Sequence, residues 1–202
     1  MALMSPAASD TVGRLLHAAT GKWNLEDYLG HDCYVLAAVA IVYNALGRLA
    51  DDSTVRFKIQ HYVRLPVTIC IPLLLAALWL SNGGSTYHAD FLHMPTDPWL
   101  SAYWIVLGGM LIYLLGYGAR ALLVLRKDPR SQPIADIYLM ASAFGVLAFT
   151  VRIFTAAFPD LVAMEGGRVV WFFSCTCGAG FALASAQSWR RRVRWFRDME
   201  TC

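Results

Sequence analysis

Five long runs of apolar residues dominate the chain, and short polar segments separate them. They cover residues 32–50, 62–81, 99–125, 134–158 and 168–189. A helix that crosses about 30 Å of hydrocarbon needs about 20 mainly apolar residues, so each run is long enough to span a bilayer. The runs are continuous and lack the alternating pattern of a membrane β-barrel strand. The pattern therefore predicts an all-α fold, an integral membrane bundle of five transmembrane helices.

The overall composition supports a membrane environment. The 202 residues are 57% hydrophobic and only 15% charged, and the mean hydropathy is +0.47. A soluble domain is about 45–50% apolar and about 25% charged. A chain with so few charges would not keep a soluble surface. This composition excludes a disordered protein, a basic nucleic-acid-binding domain and most soluble enzymes.

The segment of residues 1–31 lies before the first apolar run. Apolar residues recur at helical spacing between Val12 and Ala19, which predicts a short helix lying on the membrane surface. Gly21 is predicted to end this helix, and Asn24 is predicted to cap a further turn. The segment lacks the charged start, apolar core and cleavage site of a secretory signal.

The placement of Lys and Arg predicts the orientation in the membrane. Thirteen of the 17 basic residues lie after the first, third and fifth runs, and four lie elsewhere. Basic residues concentrate on the cytoplasmic side of membrane proteins. The bias predicts an N-terminus outside, a C-terminus inside, and a multi-pass protein of the inner (cytoplasmic) membrane.

The tail of residues 190–202 is strongly basic and follows directly on the fifth run. Basic residues near an anionic inner leaflet each contribute about 1 kcal/mol of attraction. The tail is therefore predicted to anchor on anionic lipid and not on nucleic acid. The predicted anchoring residues are Arg190, Arg191, Arg192, Arg194 and Arg197.

Three of the charged residues inside the predicted spans are candidate functional groups. Ionisable groups inside a membrane are costly and often functional. Arg120 and Asp136 lie near the cytoplasmic ends of spans three and four, where they could form a salt bridge across a short hairpin or extend toward the headgroups. Arg152 lies in the outer third of span four. It is expected to face the bundle or extend outward, and Asp160 and Glu165 are its predicted partners.

The fifth run carries small residues at every fourth position. Residues spaced by four share one face of a helix, and small residues there let two helices approach closely. The pattern predicts a helix-packing face, either within one chain or between two chains. Its members are Ser174, Gly178, Ala182 and Ala186.

No arrangement of residues predicts catalysis or a cofactor. The outer segments hold His17, His31, His88 and His93 with Cys33, Met94 and Met164 nearby in sequence, but none has the spacing of a metal site. The five cysteines are scattered, which argues against a disulfide framework. We expect no metal, no cofactor and no enzymatic activity.

Two stretches resemble a known group of proteins. Residues 20–31 read TGKWNLEDYLGH and lead into an apolar run, and the basic segment from Arg48 to Arg64 is followed by Leu65-Pro66. Both resemble stretches in actinobacterial polytopic membrane proteins that are often labelled transporters. Similar compact proteins occur in actinobacteriophages and prophages. The resemblance implies a multi-pass membrane protein and supplies no functional residues.

The favoured hypothesis is a non-enzymatic accessory or interaction protein of an actinobacterial or phage membrane. Its expected partners are the bilayer and either another membrane protein or a second copy of the chain. The alternative is a small transporter or channel component that uses Arg120, Asp136 and Arg152. A metal or redox protein acting through the outer His and Cys residues is a third alternative.

Overall fold

The computed structural model describes residues 2–49, 52–88, 90–158 and 166–200. Every regular element within these ranges is helical, which confirms the all-α prediction. Five helices are long and apolar enough to cross a membrane. They are α1 (Leu25–Leu46), α2 (Ser53–Leu80), α3 (Pro98–Leu125), α4 (Gln132–Ala157) and α5 (Gly166–Glu200).

Consecutive helices run in opposite directions, so α1, α3 and α5 begin at the same end of the bundle. The Ser101 hydroxyl near the start of α3 donates to the Ala156 carbonyl near the end of α4, at 3.3 Å. Gly118, near the other end of α3, lies against Val42 near the end of α1. We name the end where α1 begins the His31 end, and the opposite end the Arg48 end.

Helix α1 begins earlier than the hydropathy pattern predicts. It starts at Leu25 and ends at Leu46, whereas the apolar run covers residues 32–50. The difference arises because Glu26, Asp27 and His31 are polar and look like a surface segment in sequence, yet all three are buried. The predicted separate turn capped by Asn24 is therefore wrong, since the Asn24 side chain forms no cap.

Helix α2 also begins earlier than predicted. The basic segment before the apolar run is helical, and it passes through a π-helical turn at Gln60–Arg64 into Leu65–Leu80. Pro66 lies in the first turn of this last stretch and Pro72 lies inside it. Membrane helices tolerate an internal proline because neighbouring groups compensate the missing backbone hydrogen bond.

Helix α3 is central and packs against α1, α2 and α4. It begins sharply, because the Asp97 carboxylate accepts hydrogen bonds from the backbone N–H groups of Trp99 and Leu100. Lipid tails are as apolar as Leu, so close contact rather than hydrophobic transfer holds such helices together. Gly108 provides one such contact, since a Cβ there would lie 2.8 Å from Ile153 of α4.

Helix α5 is peripheral and packs mainly against α4. Only 11% of its most apolar stretch is buried, against 33–44% in the other four helices. Contact with α4 is close at Gly180, where a Cβ would lie 2.8 Å from the Cβ of Ala141. Most of the surface of α5 is therefore open to the surroundings of the bundle.

The N-terminal segment covers the His31 end. Short helical turns from Ala2 to Gly13 lead into the helix Arg14–Thr20. Gly21 then ends this helix with φ at +72°, a left-handed conformation that glycine adopts without strain, as the sequence predicts. The segment packs on the start of α1, where Gly30 lies against Met4.

Candidate functional site

Four ionisable side chains are buried together near the His31 end. They are Glu26, Asp27 and His31 of α1 and Arg152 of α4, and none is more than 6% exposed. Asp27 and His31 are four residues apart and therefore share a face of α1. Buried charges are costly unless they are paired or hydrogen-bonded. We name these four residues the polar cluster.

His31 is enclosed by aromatic rings. Its Nδ1 lies 2.7 Å from the hydroxyl oxygen of Tyr103, and both side chains are buried. The Trp104 ring meets the imidazole edge-on, with centroids 5.1 Å apart, and Phe91 lies at 6.0 Å. The loop before α3 supplies Phe91 and α3 supplies the other two rings. His31 is therefore part of the packed core and has one polar partner for Nδ1.

Arg152 points into the bundle and lies over the Trp104 ring. Its Cζ is 4.0 Å from the ring centroid, and its Nη1 donates to the Thr155 hydroxyl at 3.1 Å. Its Nε and Nη2 are buried and have no hydrogen-bond partner among the described residues. Of the two placements expected for Arg152, facing the bundle and extending outward, the structure shows the first. Its predicted partners, Asp160 and Glu165, lie outside the described residues.

Glu26 faces the N-terminal segment. Both of its carboxyl oxygens are buried, and within the described ranges neither has a hydrogen-bond partner. The carboxyl group lies against Gly13, where a Cβ would come within 2.7 Å of Oε1. A Cβ at position 13 would require the Glu26 carboxyl group or the segment to move. With glycine at position 13, the segment lies directly against this carboxyl group.

Hydrogen bonds tie the N-terminal segment and the start of α1 to the loop between α2 and α3. The Tyr87 hydroxyl donates to Asp10 Oδ1 at 2.8 Å, and this bond raises the pKa of the Tyr87 hydroxyl. The Asn24 amide donates to the carbonyls of Gly83 at 2.7 Å and Thr86 at 3.0 Å. Asn24 thus connects two segments instead of capping a helix. These bonds hold the N-terminal segment, the start of α1 and the loop together at the His31 end, where the polar cluster lies.

Arg120 and Asp136 lie far from the polar cluster, toward the Arg48 end. Asp136 pairs with Arg126, whose Nε lies 2.6 Å from its Oδ1, so the pairing of Asp136 with Arg120 is wrong. Arg126 is better placed because it stands at the start of the short turn that leads into α4. Arg120 is exposed on α3. The structure does not bring Arg120, Asp136 and Arg152 into one pathway.

The histidines of the outer segments do not form one group. His17 stacks on Trp23 with centroids 3.7 Å apart, and His93 pairs with Asp90 at 2.7 Å. His88 Nδ1 lies 3.2 Å from the Asp90 carbonyl oxygen, whereas His31 is in the core. Among the described residues, no three His, Cys, Asp or Glu side chains are placed to hold a metal ion.

The small-residue stripe of α5 is not where α5 meets α4. A Cβ at Gly178 would have open space around it, and Ala182 and Ala186 are exposed, while Ser174 is partly exposed. The contact with α4 instead uses Gly180, which lies against Ala141, and Cys177, which lies against Gly145. The alternative of packing within one chain does not hold at Gly178, and packing between two chains stays a prediction.

The basic tail continues α5 as a helix to Glu200. Arg190 is exposed at the end of the apolar stretch. The side chains of Arg191, Arg192, Arg194 and Arg197 lie outside the described side chains, so their lipid contact stays a prediction.

Sequence reasoning missed two members of the polar cluster, Glu26 and Asp27. They look like ordinary surface residues because they precede the apolar run and stand at the start of a helix, where acidic residues are common. The available signal was the spacing of Asp27 and His31, which places two ionisable groups on one face of the same helix. That spacing becomes meaningful only if the helix begins before residue 26.

The fold defines an all-helical protein with five helices that could cross a membrane, and a polar cluster buried at one end. Comparison of the chain with family models, curated proteins and solved structures finds no match.

Proposed function

We propose that this chain is a non-enzymatic accessory or interaction protein of a membrane, and that it associates with a helix of another chain through α5. The observation that carries this proposal is the peripheral position of α5. Only 11% of its apolar stretch is buried, whereas the other helices reach 33–44%. A helix this open in a small bundle has room for a second helix beside it.

The small-residue stripe supplies a suitable surface. Gly178, Ala182 and Ala186 are exposed, and nothing lies within 4 Å of a Cβ placed at Gly178. In lipid, helices associate where small residues allow their backbones to come close, because apolar transfer provides little drive. The stripe, which is open at Gly178, is therefore suited to contact between chains.

The proposed setting is the inner membrane, with the N-terminus outside and the basic tail on the cytoplasmic side. This orientation rests on the thirteen basic residues near or beyond the ends of the first, third and fifth apolar runs. An actinobacterial or phage origin rests on the resemblance of residues 20–31 and of the segment from Arg48 to Arg64 alone.

Site-specific photocrosslinking in native membranes tests the association. A photoreactive residue at Gly178 should give a discrete protein adduct, whose mass distinguishes a second copy of the chain from another membrane protein. The same residue at Ala143, which is exposed on α4, is the matched control. Equal adducts at the two positions, or lipid adducts only, would contradict the proposal.

A second candidate function is proton or ion transfer through the polar cluster. Intramembrane ionisable residues often mark such pathways. The specific observation is that Glu26, Asp27 and Arg152 keep buried polar atoms that make no hydrogen bond within the described residues. This version of the transport hypothesis relies on Arg152 alone among the three charges first considered, because Arg120 and Asp136 lie elsewhere.

Proton flux into proteoliposomes tests this second function. Asp27→Asn removes an ionisable group from the cluster and should abolish the flux if the cluster conducts. Asp136→Asn changes a half-exposed carboxylate paired with Arg126 and serves as the control. A wild-type protein that shows no flux above empty liposomes would exclude this function.

A further inference from the structure

A lateral groove opens at the Arg48 end, between α1 and α5. Its volume is about 440 Å³, which falls within the range of ligand sites in proteins, about 300–1,000 Å³. Small residues line its two walls, with Ala37 and Ala40 on α1 and Ala182 on α5. Leu122 and Phe181 contribute to its apolar lining. The groove therefore lies in the part of the surface that would face lipid.

The groove changes from apolar to polar along its length. Toward the bundle centre it is lined by alanine and large apolar residues, and toward the helix ends it meets Asn44, Arg48 and Ser188. Arg48 is exposed and is the only charged residue among the described lining residues. Trp189 lies beside this mouth, where an aromatic ring is typical of the membrane interface.

The length of the groove corresponds to one leaflet. From Ala37 to Arg48 the helix rises about 16 Å, at 1.5 Å per residue. Half of the hydrocarbon core is about 15 Å. The apolar part of the groove therefore reaches from the headgroup region to about the middle of the bilayer.

The geometry points to a binding site for one anionic phospholipid, with an acyl chain in the groove and its phosphate held by Arg48. Charge complementarity selects the headgroup, because an arginine at the mouth binds phosphate with charge-assisted hydrogen bonds. Basic sites between helices on the cytoplasmic side are typical of anionic-lipid recognition. This site is separate from the arginines of the tail, because it also requires the apolar groove.

Native mass spectrometry of the detergent-purified protein tests this site. Phosphatidylglycerol should bind as one retained molecule per chain, more tightly than phosphatidylcholine with the same acyl chains. Arg48→Gln should weaken phosphatidylglycerol binding about fivefold, since one basic residue contributes about 1 kcal/mol. Arg120→Gln, which removes an exposed arginine outside the groove lining, should leave binding unchanged.

Filling the groove tests the acyl-chain part of the site. Ala40→Phe should abolish the retained lipid, and Ala182→Phe on the opposite wall should do the same if the first variant fails to fold. Ala143→Phe adds the same ring on the exposed face of α4 and should retain the lipid.

Three results would overturn the site. The first is that the folded Ala40→Phe and Ala182→Phe variants retain as much phosphatidylglycerol as the wild-type protein. The second is equal binding of glycerol phosphate, which lacks acyl chains. The third is loss of self-association in the filled variants while lipid binding stays unchanged, which would assign the groove to a second copy of the chain.

Discussion

The guanidinium of Arg152 lies over the indole ring of Trp104, with 4.0 Å between Cζ and the ring centroid. An arginine left in hydrocarbon costs about 2.5–3.5 kcal/mol on insertion scales. A cation–π contact away from water contributes about 2 kcal/mol or more. The ring and the Thr155 hydroxyl therefore offset much of the cost of placing this charge inside the bundle.

Arg152 and Trp104 should be energetically coupled. In a double-mutant cycle with Arg152→Leu and Trp104→Leu, we expect a coupling energy of about 2 kcal/mol, because each substitution removes the same cation–π contact. The measurement is reversible unfolding of the protein in detergent micelles. Arg120→Leu, combined with Trp104→Leu, is the control and should be additive. Additive behaviour of the Arg152 pair would show that the contact contributes nothing.

Gly13 should be required for closure of the N-terminal segment over Glu26. Gly13→Ala places a Cβ within 2.7 Å of the Glu26 carboxyl group, so this carboxyl group or the segment that covers it must move. We expect faster proteolysis within residues 9–21. Gly109→Ala, at a helical glycine with open space around it, should have no such effect.

A second variant tests whether the contact with Glu26 causes the proteolysis expected of Gly13→Ala. Glu26→Ala removes the group that the new methyl would meet, so protection should return in the Gly13→Ala, Glu26→Ala double variant. Persistent proteolysis of the double variant would place the cause elsewhere.

Two glycines of α5 should behave differently although they are only two residues apart. Gly180→Leu should destabilise the isolated chain, since a Cβ at this position already lies 2.8 Å from Ala141. Gly178→Leu should leave the melting temperature in detergent unchanged, because the position is open, and should abolish the proposed contact with a second chain. Equal melting temperatures of the two variants would contradict the observed packing of α5 on α4.

The orientation can be tested at the two ends of the bundle. A reporter active only in cytoplasm should work after residue 202 or in the turn after α3, around residues 127–131, and should fail within residues 83–97. Residues 52–59 are helical, so no reporter is inserted there. Cytoplasmic activity within residues 83–97 would reverse the orientation.

Tyr87 should titrate at a higher pH than a free tyrosine. Its hydrogen bond to Asp10 raises the pKa of the hydroxyl, so the bond stabilises the fold below the ordinary tyrosine pKa and is lost as the pH rises through the folded value. Asp10→Asn should lower the Tyr87 pKa, as measured by NMR of labelled tyrosine. The Tyr87→Phe spectrum assigns the signal, and an unchanged pKa would show that the bond is absent in solution.

The predictions that succeeded rest on long segments with one dominant physical requirement. Each apolar run must form its own backbone hydrogen bonds in lipid, so its length and continuity are sufficient to predict a spanning helix. Gly21 likewise ends its helix for a local reason, because a left-handed residue is needed there. Such features depend on few residues outside the segment itself.

The predictions that failed concern contacts between segments. Asp136 pairs with Arg126 instead of Arg120, because the geometry of the turn after α3 decides which arginine reaches it. Asn24 bonds to Gly83 and Thr86, almost sixty residues away, although its position looks like that of a helix cap. Either arginine can pair with Asp136, and the Asn24 side chain can either cap a helix or bind a distant carbonyl group. Sequence spacing does not distinguish these alternatives.

The sequence by itself determined the helical class, the number of apolar helices and the basic character of the tail, because hydropathy and helix length act segment by segment. Only the tertiary structure decided that Glu26, Asp27 and His31 lie inside the bundle with Arg152. The physical reason is that burial of a polar residue depends on what packs over it. Here the N-terminal segment covers Glu26, with Gly13 against its carboxyl group, while the rings of Phe91 and Trp104 pack around His31.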